Sequence, residues 1–314
     1  MSQSVPKKPR VPVHGVLLLD KHAGHSSNDV LIRAKRLLNA RKAGHTGTLD
    51  PFATGLLPLC FGEATKFAQD LLEADKTYET VVRLGIETST GDTEGEIVAT
   101  SEVKVGTEQI ESVLARFRGE IEQVPPMHSA LKRDGKPLYE YARAGVTLER
   151  EARRVTIHAL EMLGYQDSCL SLRVKCSKGT YIRVLGQDIG AMLGCGAHLQ
   201  ALRRTAVGAL SLNNAMTLDR LTEIPEPERA LSLAPVDALL SSFPSVVLQD
   251  EMARRFLHGQ RLALGKIGVA APNDTTGTGR VRVYRKEDGK LLGTAQLSEF
   301  GVLAPERLIA ADAS

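Results

Sequence analysis

The chain has 314 residues, a hydrophobic fraction of 42% and no tryptophan, a composition that suits one or two globular domains with aliphatic cores. No run of about 18 apolar residues occurs, so a membrane-spanning helix is not expected. The basic N-terminal segment lacks the apolar stretch of a signal peptide, and residues 1–10 are predicted to form a flexible arm. The four cysteines form no C-x-x-C pair, which argues against structural zinc or a disulfide framework and fits a reducing cytoplasm.

The formal net charge of +3 hides an uneven distribution of basic residues along the chain. Residues 1–50 carry a net charge of +6, residues 171–210 carry +5 and residues 131–160 carry +3, so the remainder totals −11. Positive charge segregated in this way predicts a polyanionic partner. A single basic segment is usually only a solvated surface, but three of them together favour nucleic acid.

The first half of the chain carries both periodicities that identify secondary structure. Apolar runs and alternation of apolar with polar side chains predict strands, whereas apolar residues three and four apart predict helices. By these patterns the strands lie at residues 13–19, 56–61 and 76–86. One helix follows an N-cap supplied by the run Ser26-Ser27-Asn28, and a second covers residues 110–117 with Gly119 as its C-cap.

The second half mixes strands and helices without regular alternation between them. A loop at 125–137 and a short helix through Tyr141 are predicted first. The strands that follow are predicted at residues 154–163, 170–177, 198–203 and 206–212, and the helix at residues 180–193. The C-terminal strand candidates are residues 261–270, 280–285, 291–297 and 302–310.

This order of elements predicts an α+β fold, with a mixed or antiparallel sheet flanked by helices, because a doubly wound fold would alternate strand and helix. A proline-rich segment then suggests a boundary between two parts of the chain. The main domain is predicted at residues 11–222, a linker at 223–246, and a small β domain at 247–314.

Asp50 lies in a compact loop, Gly44 to Pro51, with the sequence GHTGTLDP. Two glycines, two threonines and a proline constrain this loop, and Pro51 restricts the backbone of Asp50 itself. A carboxylate fixed beside a cleft can act as a nucleophile or as a general base. The structural alternative is an Asx-turn, in which Asp50 only accepts hydrogen bonds from backbone amides.

The eight-residue string resembles the hallmark G-H-T-G-x-L-D-P of the TruB family of tRNA pseudouridine synthases. Thr48 stands where other pseudouridine synthase families carry an arginine, so the resemblance is to TruB specifically. The segment after residue 246 resembles the PUA-like domain that bacterial members append. Further segments resemble the other motifs of the family in the same order, at residues 14–28, 53–66, 176–183 and 202–205.

The resemblance implies a pseudouridine synthase core and an enzyme that isomerises uridine 55 in the T-loop of tRNA. Uracil is detached from C1′, rotated and rejoined through C5, without redox change or phosphate transfer, so no cofactor and no metal is expected. The target base lies inside a folded loop and must be flipped out into a pocket. Whether Asp50 adds to the base, adds to C1′ or acts as a base stays open.

The resemblance assigns catalytic roles to Asp50, Tyr78, Tyr181 and Arg183. Tyr78 matches the tyrosine that stacks on the flipped base, although the strand pattern also fits a core tyrosine. Tyr181 matches a second active-site tyrosine. Arg183 matches the arginine that pairs with the catalytic aspartate, which would keep the carboxylate ionised and oriented; the alternative is a surface salt bridge.

Five further residues are implied to contact or support the substrate. His45 would take the place that the flipped base leaves, and Leu202 would contact the base. Asp92 resembles another residue near the site. Lys21 and Lys66 would contact phosphates or brace the catalytic loop. The structural alternatives are a backbone-bonded histidine, a core leucine and a turn-forming aspartate.

Residues 125–153, here named the gripping insertion, resemble an inserted segment with which members of the family hold their RNA. We expect this segment to become ordered on RNA. His22 and His25 depart from the family pattern, which bears on local loop geometry and not on the reaction. The basic side chains in and beside the insertion that would neutralise phosphates are Lys132, Arg133, Lys136, Arg143, Arg153 and Arg154.

The resemblance also implies partners and location: the T-arm stem-loop of tRNA, no membrane, no obligate protein partner, a monomer, and the cytoplasm. Three other functions compete with this hypothesis. The chain could be an RNA-binding, tRNA-folding chaperone without turnover, or a guide-RNA-dependent synthase subunit. The third is an acid hydrolase that uses Asp50, which would need a second carboxylate at a suitable distance.

Overall fold

The structure is a computed structural model that describes residues 9–268 and 279–310. Most of the predicted N-terminal arm therefore lies outside the described residues, as do residues 269–270, the last two of the strand predicted at 261–270. The α-helices are α1 Ser27–Leu37, α2 Ala68–Glu73, α3 Thr107–Arg116, α4 Leu138–Arg143, α5 Ile182–Met192, α6 Leu218–Glu223 and α7 Asp250–Leu257. The first nine strands are β1 Gly15–Lys21, β2 Ala43–His45, β3 Thr54–Phe61, β4 Lys76–Leu84, β5 Ile86–Thr88, β6 Ile97–Thr100, β7 Gly119–Gln123, β8 Lys132–Arg133 and β9 Lys136–Pro137. The remaining strands are β10 Arg153–Gln166, β11 Cys169–Cys176, β12 Ala197–Val207, β13 Leu210–Ser211, β14 Ser245–Leu248, β15 Leu262–Ala263, β16 Gly279–Arg285, β17 Leu291–Leu297 and β18 Val302–Leu308.

A large mixed sheet forms the centre of the main domain. Within the described residues, nine strands join it; its path runs β1-β3-β12-β4-β11-β10-β7, with β2 beside β3 and β13 beside β12. Its pairs are antiparallel except that of β12 with β3. A second sheet, β14-β16-β17-β18-β15, forms near the C-terminus. The predicted α+β class, with a small C-terminal sheet, is confirmed. None of the helices in the described ranges is long and apolar enough to cross a bilayer.

Helix α1 begins where the sequence predicts because its N-terminus is fully capped. The Ser26 hydroxyl accepts the Asp29 N–H at 3.1 Å, and the Asp29 carboxylate accepts the Ser26 N–H at 3.2 Å. Such a reciprocal cap satisfies two otherwise unpaired donors and stabilises a helix by about 1 kcal/mol. Val30 and Ala34 then bury one face of the helix in the main core.

Some elements differ from their predicted form. Strand β12 is continuous where two strands are predicted, because two register shifts against β4 interrupt its alternation. Gly119 opens β7 with a φ of +90°, so it does not cap α3, whose C-cap is Phe117. The predicted loop at 125–137 contains the short hairpin β8–β9. The C-terminal part also includes helix α7, whose buried residues Ala253 and Phe256 lie three apart.

The C-terminal sheet packs against the main domain through apolar and ionic contacts. Leu239 and Leu240, from the segment predicted as a linker, are buried in the apolar cluster between them. Asp70 of α2 forms ion pairs with Arg280 and Arg307 of the C-terminal sheet. The linker segment is thus partly a packed element, while the domain limits themselves remain a prediction.

Gly55 allows strands β3 and β12 to approach each other closely beside the loop of Asp50. It has a φ of +99°, and a Cβ atom added there would lie 2.3 Å from the carbonyl oxygen of Arg204. Only glycine fits both the backbone conformation and this approach. This close pairing brings Arg204 to the loop of Asp50, where its guanidinium donates to the carbonyl of Gly47.

We expect Gly55→Ala to lower the free energy of unfolding by about 2–4 kcal/mol, because the added methyl meets backbone atoms at a left-handed φ. Urea denaturation measures the change. Gly164→Ala in β10 is the matched control, since nothing lies within 4 Å of its added Cβ, and its effect should stay within about 0.5 kcal/mol. Equal effects of the two substitutions would contradict this account of Gly55.

Candidate active site

The loop that carries Asp50 is held by polar contacts on both sides of the aspartate. Lys21, at the end of β1, donates from Nζ to the carbonyl oxygen of Pro51 at 3.1 Å. Ser27, the first residue of α1, donates its hydroxyl to the carbonyl of Leu49 at 3.0 Å and accepts the N–H of Leu49 at 2.8 Å. The residues before and after Asp50 are therefore fixed, and its carboxylate has a defined position. These contacts fit the bracing alternative for Lys21.

The guanidinium of Arg183 lies directly against the carboxylate of Asp50. Nε of Arg183 is 2.9 Å from Oδ2 of Asp50, and the side chains are 4% and 35% exposed, respectively. The same guanidinium donates to the carbonyl oxygens of Thr90 at 3.2 Å and His128 at 2.7 Å. A planar group with fixed acceptors on several sides cannot turn without losing bonds, so Arg183 orients Asp50.

Asp92 is a second carboxylate on the same arginine. Its Oδ2 lies 3.5 Å from Nη1 of Arg183, and its side chain is only 3% exposed. The backbone of Asp92 bridges to Leu199 of β12, and its Oδ1 accepts the N–H of Glu94 at 3.0 Å. Asp92 therefore does more than form a turn, since it pairs with a different nitrogen of the guanidinium that binds Asp50.

A cavity of about 350 Å³ opens beside this ion-pair network. Asp50, Tyr78, Tyr181, Arg183 and Leu202 all line it, so the structure brings the four predicted catalytic residues and the predicted pocket leucine together. Its size lies at the lower end of the range for small-ligand sites. Tyr78 is buried on the central strand β4, and it is both part of the sheet core and part of the cavity wall.

Arg204 also lines the cavity, although the sequence does not single it out for a role. It pairs across the strands with Tyr78 and is almost fully buried. Its Nε donates to the carbonyl of Leu56 at 2.8 Å and its Nη2 to the carbonyl of Gly47 at 3.3 Å. Two consecutive arginines in an apolar strand are the signal that could have revealed it, because neighbours on a strand face opposite sides and one must point inward.

Lys76 is the second basic residue of the cavity wall that the sequence does not single out. Its ammonium donates to the carbonyls of Leu71, Leu72 and Ala74, at 3.2, 2.7 and 2.6 Å, at the end of α2. Burial lowers the pKa of Lys76 to about 8, and the charge of Arg204 adds to the shift. Lys76 thus supports one wall of the cavity by capping a helix.

Burial dominates the acid–base properties of the site. It raises the pKa of the Asp50 carboxyl; the Arg183 guanidinium opposes the rise and the Asp92 charge adds to it. Burial also raises the pKa of the Tyr78 and Tyr181 phenols, which therefore stay neutral near neutral pH. It lowers the pKa of Lys21 to about 8. A carboxylate with a raised pKa is a better proton acceptor than an ordinary aspartate.

The structure does not place Lys66 on the wall of the cavity, and its role toward the substrate stays a prediction. Its ammonium bonds to Glu63 at 2.6 Å and to the carbonyl of Leu308 at 2.8 Å, so it joins the main domain to the C-terminal sheet. His45 ends β2 and is half-buried, but it is not part of the cavity wall. Burial lowers the pKa of His45, so its ring is neutral near pH 7.

No group of three or more His, Cys, Asp or Glu side chains is arranged to hold a metal ion within the part of the chain that the structure describes. The four cysteines are free, and burial raises the pKa of Cys60 and Cys176 to about 12. These thiols are therefore protonated and unreactive near neutral pH.

Comparison with known proteins identifies the family. Residues 35–182 match the model of the N-terminal domain of the TruB family pseudouridylate synthases. Residues 183–241 match the tRNA pseudouridylate synthase B C-terminal domain, and residues 244–309 match the model of the C-terminus of pseudouridine synthase II TruB.

Curated relatives match along almost the whole chain. Proteins named tRNA pseudouridine synthase B from Ralstonia pickettii and Ralstonia nicotianae are 62% and 64% identical, over 96% of this chain and 96% of each relative. The protein of that name from Burkholderia mallei is 62% identical over 97% of this chain and 96% of its own. The chain therefore belongs to the TruB family of pseudouridine synthases, which are isomerases.

Solved structures show the same fold. A Cbf5-Nop10-Gar1 complex contains a chain with a TM-score of 0.73 and 27% identity, over 99% of this chain and 92% of that chain. An H/ACA RNP bound to a substrate RNA containing 2′-deoxyuridine gives a TM-score of 0.72 and 26% identity, over 95% and 86%. The pseudouridine synthase core predicted from the motifs is confirmed.

Arg183→Lys should lower the single-turnover rate of pseudouridine formation by about 100-fold or more, because lysine cannot hold Asp50 and its other acceptors in one plane. Rapid-quench assays with excess enzyme measure this rate. Arg118→Lys is the control, since Arg118 forms a surface pair with Glu111 and lies 40% exposed. A rate within threefold of the parent for Arg183→Lys would refute the orienting role.

The pH dependence of the rate provides a second prediction. If Asp50 must be ionised for the reaction, activity is lost as the pH falls through the pKa of Asp50. Burial raises this pKa above its ordinary value of 3.8, so the acid limb of the pH–rate profile lies above that value. Asp92→Asn removes a negative charge that raises the pKa of Asp50, so the acid limb should move to lower pH while the maximal rate drops. A shift of the limb to higher pH would contradict this arrangement of charges.

Proposed function

We propose that this chain isomerises uridine 55 in the T-loop of tRNA to pseudouridine. The observation that carries the proposal is the cavity in which an arginine-paired aspartate faces two tyrosines. The names of the curated relatives supply the substrate class, and the family resemblance of the motifs supplies the position in tRNA. Isomerase activity, tRNA processing and RNA binding follow from the same assignment.

The proposed reaction conserves atoms and electrons. The C1′–N1 bond of the uridine breaks, a C1′–C5 bond forms, and the proton on C5 is lost while N1 gains one. The target base leaves the loop and enters the cavity, where the Tyr78 ring and Leu202 contact it. Asp50 then assists by adding to the base, by adding to C1′ or by accepting a proton. The reaction is redox-neutral, which is why we propose no cofactor.

Arg183 and Asp92 keep the aspartate in place during these steps, and Tyr181 forms the opposite part of the wall. Lys21 acts through the loop, because its ammonium bonds to the carbonyl that follows Asp50. We retain His45 as the residue that fills the space left by the flipped base in the RNA loop, a role that fits its position outside the cavity.

The gripping insertion and the small C-terminal domain are proposed to bind the T-arm. Basic side chains of the insertion neutralise phosphates, which makes binding depend on salt. We keep the division into a catalytic domain at 11–222, a connecting segment at 223–246 and a PUA-like domain at 247–314. We further propose that the protein works as a monomer in the cytoplasm without an obligate protein partner.

Replacing Asp50 by Asn tests the catalytic assignment. We expect it to reduce pseudouridine formation at position 55 to background, because the amide can neither act as a nucleophile nor accept a proton. Affinity for tRNA should stay within about threefold, since the change is nearly isosteric. Sequencing after carbodiimide treatment and a filter-binding titration measure the two quantities. If Asp50→Asn turns over like the parent, the assignment fails and the chaperone alternative gains support.

A T-arm stem-loop alone distinguishes an independent enzyme from a guide-dependent subunit. The two solved structures of similar fold are assemblies that contain RNA or further proteins. We expect this chain to modify the bare stem-loop at a rate close to that for whole tRNA, without added protein or guide RNA. Strict dependence on another component would contradict the proposed independence.

A further inference from the structure

Gln123 is the last residue of β7 and lies two residues before the gripping insertion begins. It is 3% exposed, although glutamine side chains are usually solvated. The chain returns from the insertion at Arg153, which is the cross-strand partner of Gln123. Gln123 therefore stands at the root of the insertion, where both of its ends meet the sheet.

The side-chain amide of Gln123 binds the backbone of Tyr181 with both of its polar atoms. Its Oε1 accepts the Tyr181 N–H at 3.0 Å, and its Nε2 donates to the Tyr181 carbonyl at 3.3 Å. This pair of bonds fixes the orientation of the amide, because only one arrangement of its oxygen and nitrogen satisfies both partners. The N–H of Tyr181, the N-cap residue of α5, has no partner inside the helix and depends on this contact.

A second contact ties the same two segments together two residues further along α5. Nη2 of Arg183 donates to the carbonyl of His128, which lies inside the gripping insertion. The buried side chain of Ser129, the next residue of the insertion, lines the same cavity as Tyr181. The root and the start of the insertion are thus joined to the segment 181–183 at two positions, Tyr181 and Arg183.

We propose that Gln123 is a positioning residue that holds Tyr181 and Arg183 in register with the root of the gripping insertion. The inference rests on the proposed function and deepens it. The segment that holds the RNA is then fixed relative to Tyr181 and Arg183, and Arg183 in turn orients Asp50. Gln123 is not part of the cavity wall, so we expect it to contribute to turnover and not to affinity.

Two substitutions at this position test the proposal. Gln123→Leu removes both bonds and should lower the single-turnover rate constant about 10-fold or more, while the half-saturating concentration of T-arm stem-loop changes less than about twofold. Gln123→Glu keeps the shape but faces the Tyr181 carbonyl with a carboxylate. When protonated, that acid has one donor and one acceptor in the places of the amide, so it restores both bonds.

The rate of Gln123→Glu relative to the parent should therefore rise as the pH falls, whereas the ratio for Gln123→Leu should stay constant. Because the parent and the variants share the titration of Asp50, dividing each variant's rate by the parent's rate at the same pH removes that titration from the comparison. Burial raises the pKa of the introduced acid and favours its protonated form, whereas the positive charge of the cross-strand partner Arg153 opposes that rise. Gln109→Glu on the exposed face of α3 is the control and should show a constant ratio near one.

The outcomes separate this inference from the proposed function. A parent protein that forms no pseudouridine in the T-arm would overturn the function itself. A parent that is active together with unchanged rates for both Gln123 variants would overturn only the positioning role. Loss of rate with no recovery of Gln123→Glu at low pH would also overturn it, because a general packing defect does not depend on that proton. If Gln123→Leu fails to fold in thermal melts, the pH ratio of Gln123→Glu still decides.

Discussion

The geometry of the site depends on the bonds of one buried guanidinium. Arg183 contacts Asp50 from the loop after β2, Thr90 and Asp92 from the turn after β5, and His128 from the gripping insertion. These segments come from distant parts of the chain, and one planar group with fixed donors sets their relative positions. Without it, two carboxylates would lie close together in a poorly solvated site, which is costly unless one of them is protonated.

The sheet provides the rigid surface against which this network works. Tyr78 on β4 and Arg204 on β12 are paired across neighbouring central strands, and Leu202 lies two residues before Arg204 on the same strand. Alternate residues of a strand face the same side, which explains how one strand supplies both an apolar contact and a buried charge to the cavity. Close packing on the glycine of β3 then brings the loop of Asp50 onto this surface.

Much of the site could be predicted because its signals are local. The loop of Asp50 is a compact string, and Tyr181 and Arg183 lie two apart at a predicted helix start. Long-range contacts could not be predicted in this way. The ammonium of Lys66 binds a carbonyl 242 residues further along the chain, a contact that no local pattern indicates.

The same limit applies to the fold. Strong alternation over β4 and the capping box of α1 are decided within a few residues, so these elements appear where the pattern predicts them. The bulges of β12 are imposed by its pairing with β4, and a single sequence does not contain that information. The burial of Arg204 cannot be predicted for a related reason, since only the neighbouring strands decide which of two adjacent arginines is buried.

A crystal structure of the Asp50→Asn variant with an unmodified T-arm stem-loop tests the central claim most directly. The account predicts that the target uracil lies outside the RNA stack and inside the cavity, against the Tyr78 ring. The side chain at position 50 should contact the base or its ribose, and it should still be bonded to Arg183. A target base that stays stacked in the RNA loop, or that enters a different part of the protein with position 50 directed away from it, would contradict the account.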